Sequence, residues 1–120
     1  VGLAEMEPVD VKLTDYRMKV YLAVAAIPQG KVSTYGLVAR HIGCSSARAV
    51  GQALRVNPFA PDVPCHRVVR SDLKLGGFGG RTDASALARK RDLLLSEGVK
   101  FVDPDTIHPD SLYDFSQPAG

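Results

Sequence analysis

The sequence predicts a small, mostly α-helical domain that holds a helix-turn-helix and only a little β-structure. Three observations carry that prediction. One long segment repeats apolar residues at helical spacing, two short helical segments are joined by a three-residue turn, and β-type alternation is confined to short stretches. At 120 residues the chain suffices for one domain with one modest hydrophobic core.

Residues 1–13 contain Pro8, several acids and no clear period, so they are expected to form an N-terminal arm. Thr14 is the expected N-cap of the first helix, with Asp15 in its first turn. Tyr16, Val20, Ala23, Val24 and Ile27 then recur at the spacing of a buried stripe, and Pro28-Gln29-Gly30 stops the helix. The lack of charge between Lys19 and Lys31 predicts deep packing. After the short link Lys31-Val32-Ser33, a second helix starts at Ser33 or Thr34. It turns Leu37, Val38 and Ile42 inward and ends at Gly43, which suits a left-handed C-cap position. Cys44-Ser45-Ser46 is the tight turn, and a serine supplies the next N-cap.

The third helix runs from about Ala47 to Val56, with Val50, Ala53 and Leu54 as its apolar face. Its other face carries Arg48, Gly51, Gln52 and Arg55 at i, i+3, i+4 and i+7. Arginine and glutamine are donors for phosphates and base edges. Gly51, with Ala47 and Ala49, leaves the helix thin enough for a partner to approach its backbone. On these residues alone the alternative is a solvated face with a glycine tolerated at roughly 1 kcal/mol.

Asn57-Pro58 ends the third helix, because the residue before proline avoids the α region. Pro58, Pro61 and Pro64 stiffen the loop leading to Pro64-Cys65-His66-Arg67-Val68-Val69, in which Val68-Val69 reads as a short strand. Ser71-Asp72 is a turn. Leu75-Gly76-Gly77-Phe78-Gly79-Gly80 lacks the lysine of a P-loop and the context of a dinucleotide fingerprint. It is either a flexible hairpin loop or a wall of backbone donors that sets Phe78 against a flat ligand. Thr82, Asp83 or Ser85 caps a last helix, with Leu87, Leu94 and Leu95 inward and Arg89-Lys90-Arg91 outward, ended by Glu97-Gly98. Val99-Lys100-Phe101-Val102 alternates like a strand. Residues 103–120 are acidic, proline-containing and aperiodic, and are expected as a C-terminal tail.

The net charge of +2 conceals an uneven distribution. Between Lys31 and Arg91 eleven Lys/Arg stand against three Asp/Glu, while the flanks carry four against ten. A basic middle suits a polyanionic partner, and acidic ends oppose nonspecific adhesion. No apolar run is long enough to span a bilayer, so no membrane partner is expected. The first residues lack a basic segment followed by an apolar one, which points to the cytoplasm, or to the nucleus of a eukaryote. Cys44 and Cys65 do not form a disulfide framework, and His41 with Cys44 has no second ligand pair nearby, so no metal is expected.

A thiol reacts as its thiolate, and an adjacent imidazole with basic neighbours favours that form. His66, Arg67 and Arg70 supply such neighbours to Cys65. On chemistry alone Cys65 is either a nucleophile or an inert buried cysteine. Successive residues on a strand face opposite sides, so Cys65 and His66 cooperate only if the backbone bends there.

Pro64-Cys65-His66-Arg67-Val68-Val69 resembles the active-site motif of the O6-alkylguanine-DNA alkyltransferases. So, in the family's order, do Gly30-Lys31-Val32-Ser33-Thr34-Tyr35-Gly36, Ala47-Arg48-Ala49-Val50-Gly51, Asn57-Pro58, Gly76-Gly77-Phe78-Gly79-Gly80 and Leu94-Leu95-Ser96-Glu97-Gly98. The similarity covers roughly residues 14–102, the expected DNA-binding and catalytic domain. It implies a winged helix-turn-helix-like fold, mostly α with a small β wing. The family binds double-stranded DNA containing O6-alkylguanine through the minor groove and flips the damaged nucleotide into a pocket.

By that resemblance Arg48 fills the gap left in the base stack, and Ala47, Gly51, Gln52 and Arg55 share the DNA face. Tyr35 crowds the phosphate of the target nucleotide and helps protonate the guanine. Cys65 accepts the alkyl group by in-line displacement, His66 takes the thiol proton through a water, and Glu97 orients and charges His66. Asn57 ties the recognition helix to the active-site turn. The carbonyls of Cys65 and Val68 and the amides around Gly79 read the guanine edges, and Phe78 flanks the base. The thioether product is stable and nothing evident removes the alkyl group, so each molecule acts once. No cofactor is implied, and a monomer is expected.

The chain departs from the family pattern in three places. Typical members carry a substantial N-terminal domain before the first helix, the segment from Arg81 to Leu87 looks longer than usual, and Gly79 stands where many members carry a side chain. The nearest rival is the alkyltransferase-like group, single-domain proteins that bind alkylated guanine, lack the acceptor cysteine and signal to excision-repair proteins. Chain length points towards that group and Cys65 away from it. A winged-helix DNA-binding regulator is the third class, one with no use for a Cys–His–Glu set.

Overall fold

The computed structural model describes residues 8–44, 46–58, 62–78 and 81–116. Its first helix, α1, spans Pro8–Ala25 and so begins before the expected cap at Thr14. Proline suits the first turn of a helix, where its fixed φ is already helical and its missing N–H would have had no partner. Half of the expected arm is therefore helix. One face of α1 is buried through Val20, Tyr21, Ala23 and Val24, followed by Ile27 past its end. The deep packing expected after Lys19 holds on that face and not on the opposite one, where Leu22 is 66% exposed. Tyr21, absent from the expected stripe, is buried and donates its hydroxyl to the Ala53 carbonyl at 2.9 Å.

Helix α2, Tyr35–His41, is capped by Thr34, whose hydroxyl accepts from the Leu37 amide at 3.1 Å. Val38 and Ala39 form its buried face, while Leu37 and Ile42 are half-buried. Gly43 takes the expected left-handed conformation, φ +77°. Helix α3, Ala47–Arg55, begins at the N-cap Ser46 and buries Val50, Ala53 and Leu54, as the periodicity predicts. Ser45 of the connecting turn lies outside the described residues.

Strands β1, Ser33–Thr34, and β2, Val68–Val69, pair in parallel, with Ser33 opposite Val68 and Thr34 opposite Val69. Adjacent strand residues face opposite ways. Val68 thus enters the cluster formed by α1, α2 and α3, and Val69 enters a second cluster with Val32, Leu75, Leu94, Val99 and Ile107. The strand pair is the seam between two cores, and Cys65 lies on the turn that feeds it.

Helix α4, Ala84–Ser96, buries Ala86, Lys90 and Leu94. The expected outward Lys90 points inward and the expected inward Leu95 is 52% exposed. Residues at i, i+4 and i+8 share one helix face, and Lys90 sits in the middle of that stripe because backbone carbonyls meet it there.

Strands β3, Phe101–Asp103, and β4, Thr106–Ile107, form an antiparallel hairpin that serves as the small wing. The expected tail beyond Asp103 is folded as far as residue 116. A 3₁₀ turn at Pro109–Ser111 follows β4, and the Val32 amide donates to the Ser111 carbonyl at 2.8 Å. The Tyr113 amide returns a bond to the Val32 carbonyl at 2.6 Å, which places the Tyr113 ring in the first core. Phe115 then stacks on His41 at 4.3 Å. Its side chains are anchored by long-range contacts, which no local period reports.

Tyr113→Ala is expected to destabilise the fold by about 3 kcal/mol, in the range for removing a buried aromatic ring. Urea unfolding measures it, and a loss under about 0.5 kcal/mol would mean that this segment is not part of the core.

Candidate functional site

Cys65, His66 and Arg67 form a single 3₁₀ turn after Pro64. At three residues per turn their side chains diverge by a third of a circle, so neighbours in sequence serve different sides. This is the backbone bend that cooperation between Cys65 and His66 requires. Cys65 lines a cavity of about 190 Å³ with Tyr35, Gly51, Leu54, Arg55, Gly77, Phe78 and Thr82. His66 and Arg67 turn to Glu97, the residue that caps α4.

His66 Nε2 lies 3.0 Å from Glu97 Oε2, so Nδ1 remains as the ring atom available to a thiol proton. Arg67 grips the same carboxylate with two bonds, Nε to Oε1 at 3.0 Å and Nη2 to Oε2 at 2.8 Å, the strong bidentate geometry. Its Nη1 donates to the Ile27 carbonyl at 2.9 Å, beyond the end of α1. Burial raises the Glu97 pKa, but hydrogen bonds and positive charge from Arg67 and His66 outweigh it and hold the carboxyl below its ordinary value. Sequence reasoning counted Arg67 only as positive charge near the thiol. Its partnership with Glu97 depends on a fold that brings the end of α4 to this turn, and no spacing reports that.

Tyr35 projects from the first turn of α2 and lines both the cavity and a larger groove of about 710 Å³. Burial, and then the nearby Cys65 charge, raises its phenol pKa, so it stays a proton donor at neutral pH. The groove is walled on one side by Ala47, Arg48, Gly51, Gln52 and Arg55 of α3, and on the other by Arg70, Ser71 and Asp72. Every α3 residue expected on one face is therefore found there. Gly51 sits against the Tyr35 ring, where an added Cβ would come within 3.9 Å of it. Asn57 donates from Nδ2 to the Val63 carbonyl at 3.0 Å, which links the end of α3 to the approach to Cys65.

Phe78 lines the cavity, and its amide and carbonyl exchange hydrogen bonds with Arg81. Val68, expected in the pocket, does not line this cavity. Its side chain is fully buried in the core and its carbonyl accepts from Lys90. Gly79 lies outside the described residues. Among the described residues no three His, Cys, Asp or Glu side chains come together as metal ligands.

A groove walled by the thin, basic face of α3 lies beside a small cysteine-lined cavity, with Tyr35, Gly51 and Arg55 common to both. The family model "6-O-methylguanine DNA methyltransferase, DNA binding domain" matches residues 15–99, and the chain belongs to that family. The methylated-DNA–protein-cysteine methyltransferase of Saccharolobus islandicus is 44% identical over 94 residues, 78% of this chain and 58% of that protein. The Mycobacterium bovis protein of the same name is 44% identical over 86 residues, 71% of this chain and 49% of its own length. The chain thus spans roughly half the length of these relatives. Among solved structures, S. pombe Atl1 in complex with damaged DNA containing O6-carboxymethylguanine aligns with a TM-score of 0.71 and 36% identity. That alignment covers 83% of this chain and 95% of Atl1. Mycobacterium tuberculosis OGT in complex with DNA aligns at 0.63 and 44%, over 70% of this chain and 50% of OGT.

The Glu97 linkage has a definite sign. A carboxyl whose folded pKa lies below its unfolded value of about 4.3 contributes stability above that pH and loses it as pH falls through the folded value. Glu97→Gln is therefore expected to cost about 1–3 kcal/mol at neutral pH, with the difference from the unsubstituted protein shrinking below about pH 4. Denaturant melts across this range test it, and a pH-independent difference would contradict the ion-pair assignment.

Proposed function

We propose that this protein repairs O6-alkylguanine in double-stranded DNA by a single, irreversible transfer of the alkyl group to Cys65. The observation that carries the reading is the placement of Cys65 on the wall of a small cavity beside the α3 groove, with His66 of the same turn bonded to Glu97 at the end of α4. The groove takes the DNA, with Ala47, Gly51 and Gln52 at the thin helix face and Arg48 entering the stack as the damaged nucleotide flips into the cavity. Minor-groove binding fits a helix that can approach closely.

The chemistry balances without a cofactor. His66 takes the Cys65 proton through a water, and Glu97 holds the imidazole in place. The thiolate sulfur attacks the alkyl carbon, the S–C bond forms, and the C–O6 bond breaks with its electron pair going to the guanine. Tyr35 supplies a proton to the departing base. The products are a thioether and guanine, and with no group to hydrolyse a thioether the protein is consumed. Asn57 and Arg67 hold the turn that presents the sulfur.

A second reading is recognition of O6-alkylguanine without transfer, with excision-repair proteins as partners. Its support is the likeness to Atl1, whose alignment has a TM-score of 0.71 and covers 83% of this chain and 95% of that one. Cys65 in the cavity favours transfer.

Incubation with O6-methylguanine DNA is expected to add about 14 Da to the Cys65 peptide, a methyl replacing a hydrogen, and to leave Cys65→Ala unmodified. Tight lesion-selective binding with no adduct would select the second reading. Arg48→Ala is expected to slow repair in duplex DNA by about tenfold or more while changing bulk DNA affinity by less than about threefold. Equal losses in both would make Arg48 a phosphate contact only.

A further inference from the structure

Arg67, Arg70, Arg81 and Arg91 each pair with a carboxylate. Arg40 does not. It is exposed on α2 and forms no ion pair among the described residues, like Arg48 and Arg55 on the groove wall of α3. Arg40 lines a hollow of about 350 Å³ with Thr34, Gly36, Leu37, Ser71, Leu73 and Leu112. None of these residues is acidic, whereas the α3 groove holds Asp72. Three leucines give the hollow an apolar floor of the kind that carries an arginine stem while its head stays in water.

The hollow and the groove are neighbours, because Ser71 belongs to both. Gly36 and Arg40 stand at i and i+4, on one face of α2. A Cβ at Gly36 would lie 3.5 Å from Ser71 Oγ, so α2 runs close to the Ser71 turn here. The missing side chain keeps the passage from groove to hollow clear.

Scale then decides what the hollow meets. Helix α3 has nine residues and is about 14 Å long, less than half of the roughly 34 Å of one turn of duplex. A duplex seated on α3 therefore runs on past the groove wall, with its phosphates at regular spacing. A strand that leaves the groove over Ser71 brings its next phosphate to Arg40. The guanidinium is planar, permanently charged and shaped for two bonds to a phosphate.

We propose that Arg40 holds a phosphate of the DNA backbone in this hollow, beyond the end of the α3 groove. The proposal rests on the reading of the groove as a duplex site and is independent of whether Cys65 accepts the alkyl group.

The test measures the affinity of the full chain for undamaged duplex by fluorescence anisotropy between about 50 and 200 mM salt. For Arg40→Ala the slope of log affinity against log salt is expected to fall by about 1, with binding about tenfold weaker at about 50 mM. Arg40→Lys keeps the charge and is expected to keep the slope. Arg17→Ala removes an exposed arginine of α1 outside the groove and is expected to leave the slope unchanged. An unchanged slope in Arg40→Ala overturns the proposal. So does an equal fall in Arg17→Ala, because net charge alone would then be acting.

Duplexes with single, neutral methylphosphonate linkages locate the contact. An O6-methylguanine fixes the register, and a Cys65→Ala background leaves that lesion in place. One linkage is expected to weaken binding by about tenfold in that background and to have no effect once Arg40→Ala is added. A scan with no such linkage overturns the proposal and assigns the hollow to free phosphate at most. If the unsubstituted protein binds no duplex at any salt, the repair reading falls together with this one. Duplex binding with an unaltered slope in Arg40→Ala removes this one alone.

Discussion

The bidentate bond between Arg67 and Glu97 is the interaction on which the site depends. It closes a triangle between the end of α1, the turn that carries Cys65 and the end of α4. These three segments come from distant parts of the chain, and apolar contacts alone are not directional. Hydrogen bonds to a charged acceptor have a fixed length and angle, so they set where the turn sits as well as holding it there. His66 shares the same carboxylate, which orients the imidazole without a separate partner.

The two cores divide the work on either side of β1 and β2. The first, under α1, α2 and α3, holds the helix whose arginine and glycine face forms the groove. The second, under α4 and the hairpin, supports the glycine loop that closes the cavity. Val68 and Val69 enter one core each, so the turn preceding them is fixed from both sides. Tyr35 sits where the two surfaces meet and lines both the groove and the cavity. Under the proposed function, this shared wall is the short path from a duplex in the groove to the thiol.

Much of the site was legible in the sequence because its residues act through local geometry. The groove-lining residues of α3 follow from helical period and capping, and Ser46 caps as a serine in that place should. The bend at Cys65 follows from the requirement that a thiol and a neighbouring imidazole cooperate. The joining of Asn57 to the stretch before Cys65 was legible only through family resemblance, since the five intervening residues impose no such bond. Arg67 was counted only as charge near the thiol and Lys90 was turned to solvent for one physical reason: spacing does not report the acceptor of a cation. Their acceptors are a carboxylate thirty residues away and three backbone carbonyls.

What the sequence determined by itself is therefore a mostly helical domain, a helix-turn-helix with a basic, thin third helix, and an adjacent Cys-His pair after a proline-stiffened loop. Helical period, caps and proline act over a few residues and need no partner from elsewhere. The tertiary structure alone decided that Arg67 belongs to Glu97, that Lys90 is buried beneath the cavity wall, that Val68 faces the core, and that the segment through Tyr113 completes it. Each of those outcomes depends on which distant groups arrive to satisfy a charge, a carbonyl or a ring, and such pairings exist only once the chain has folded.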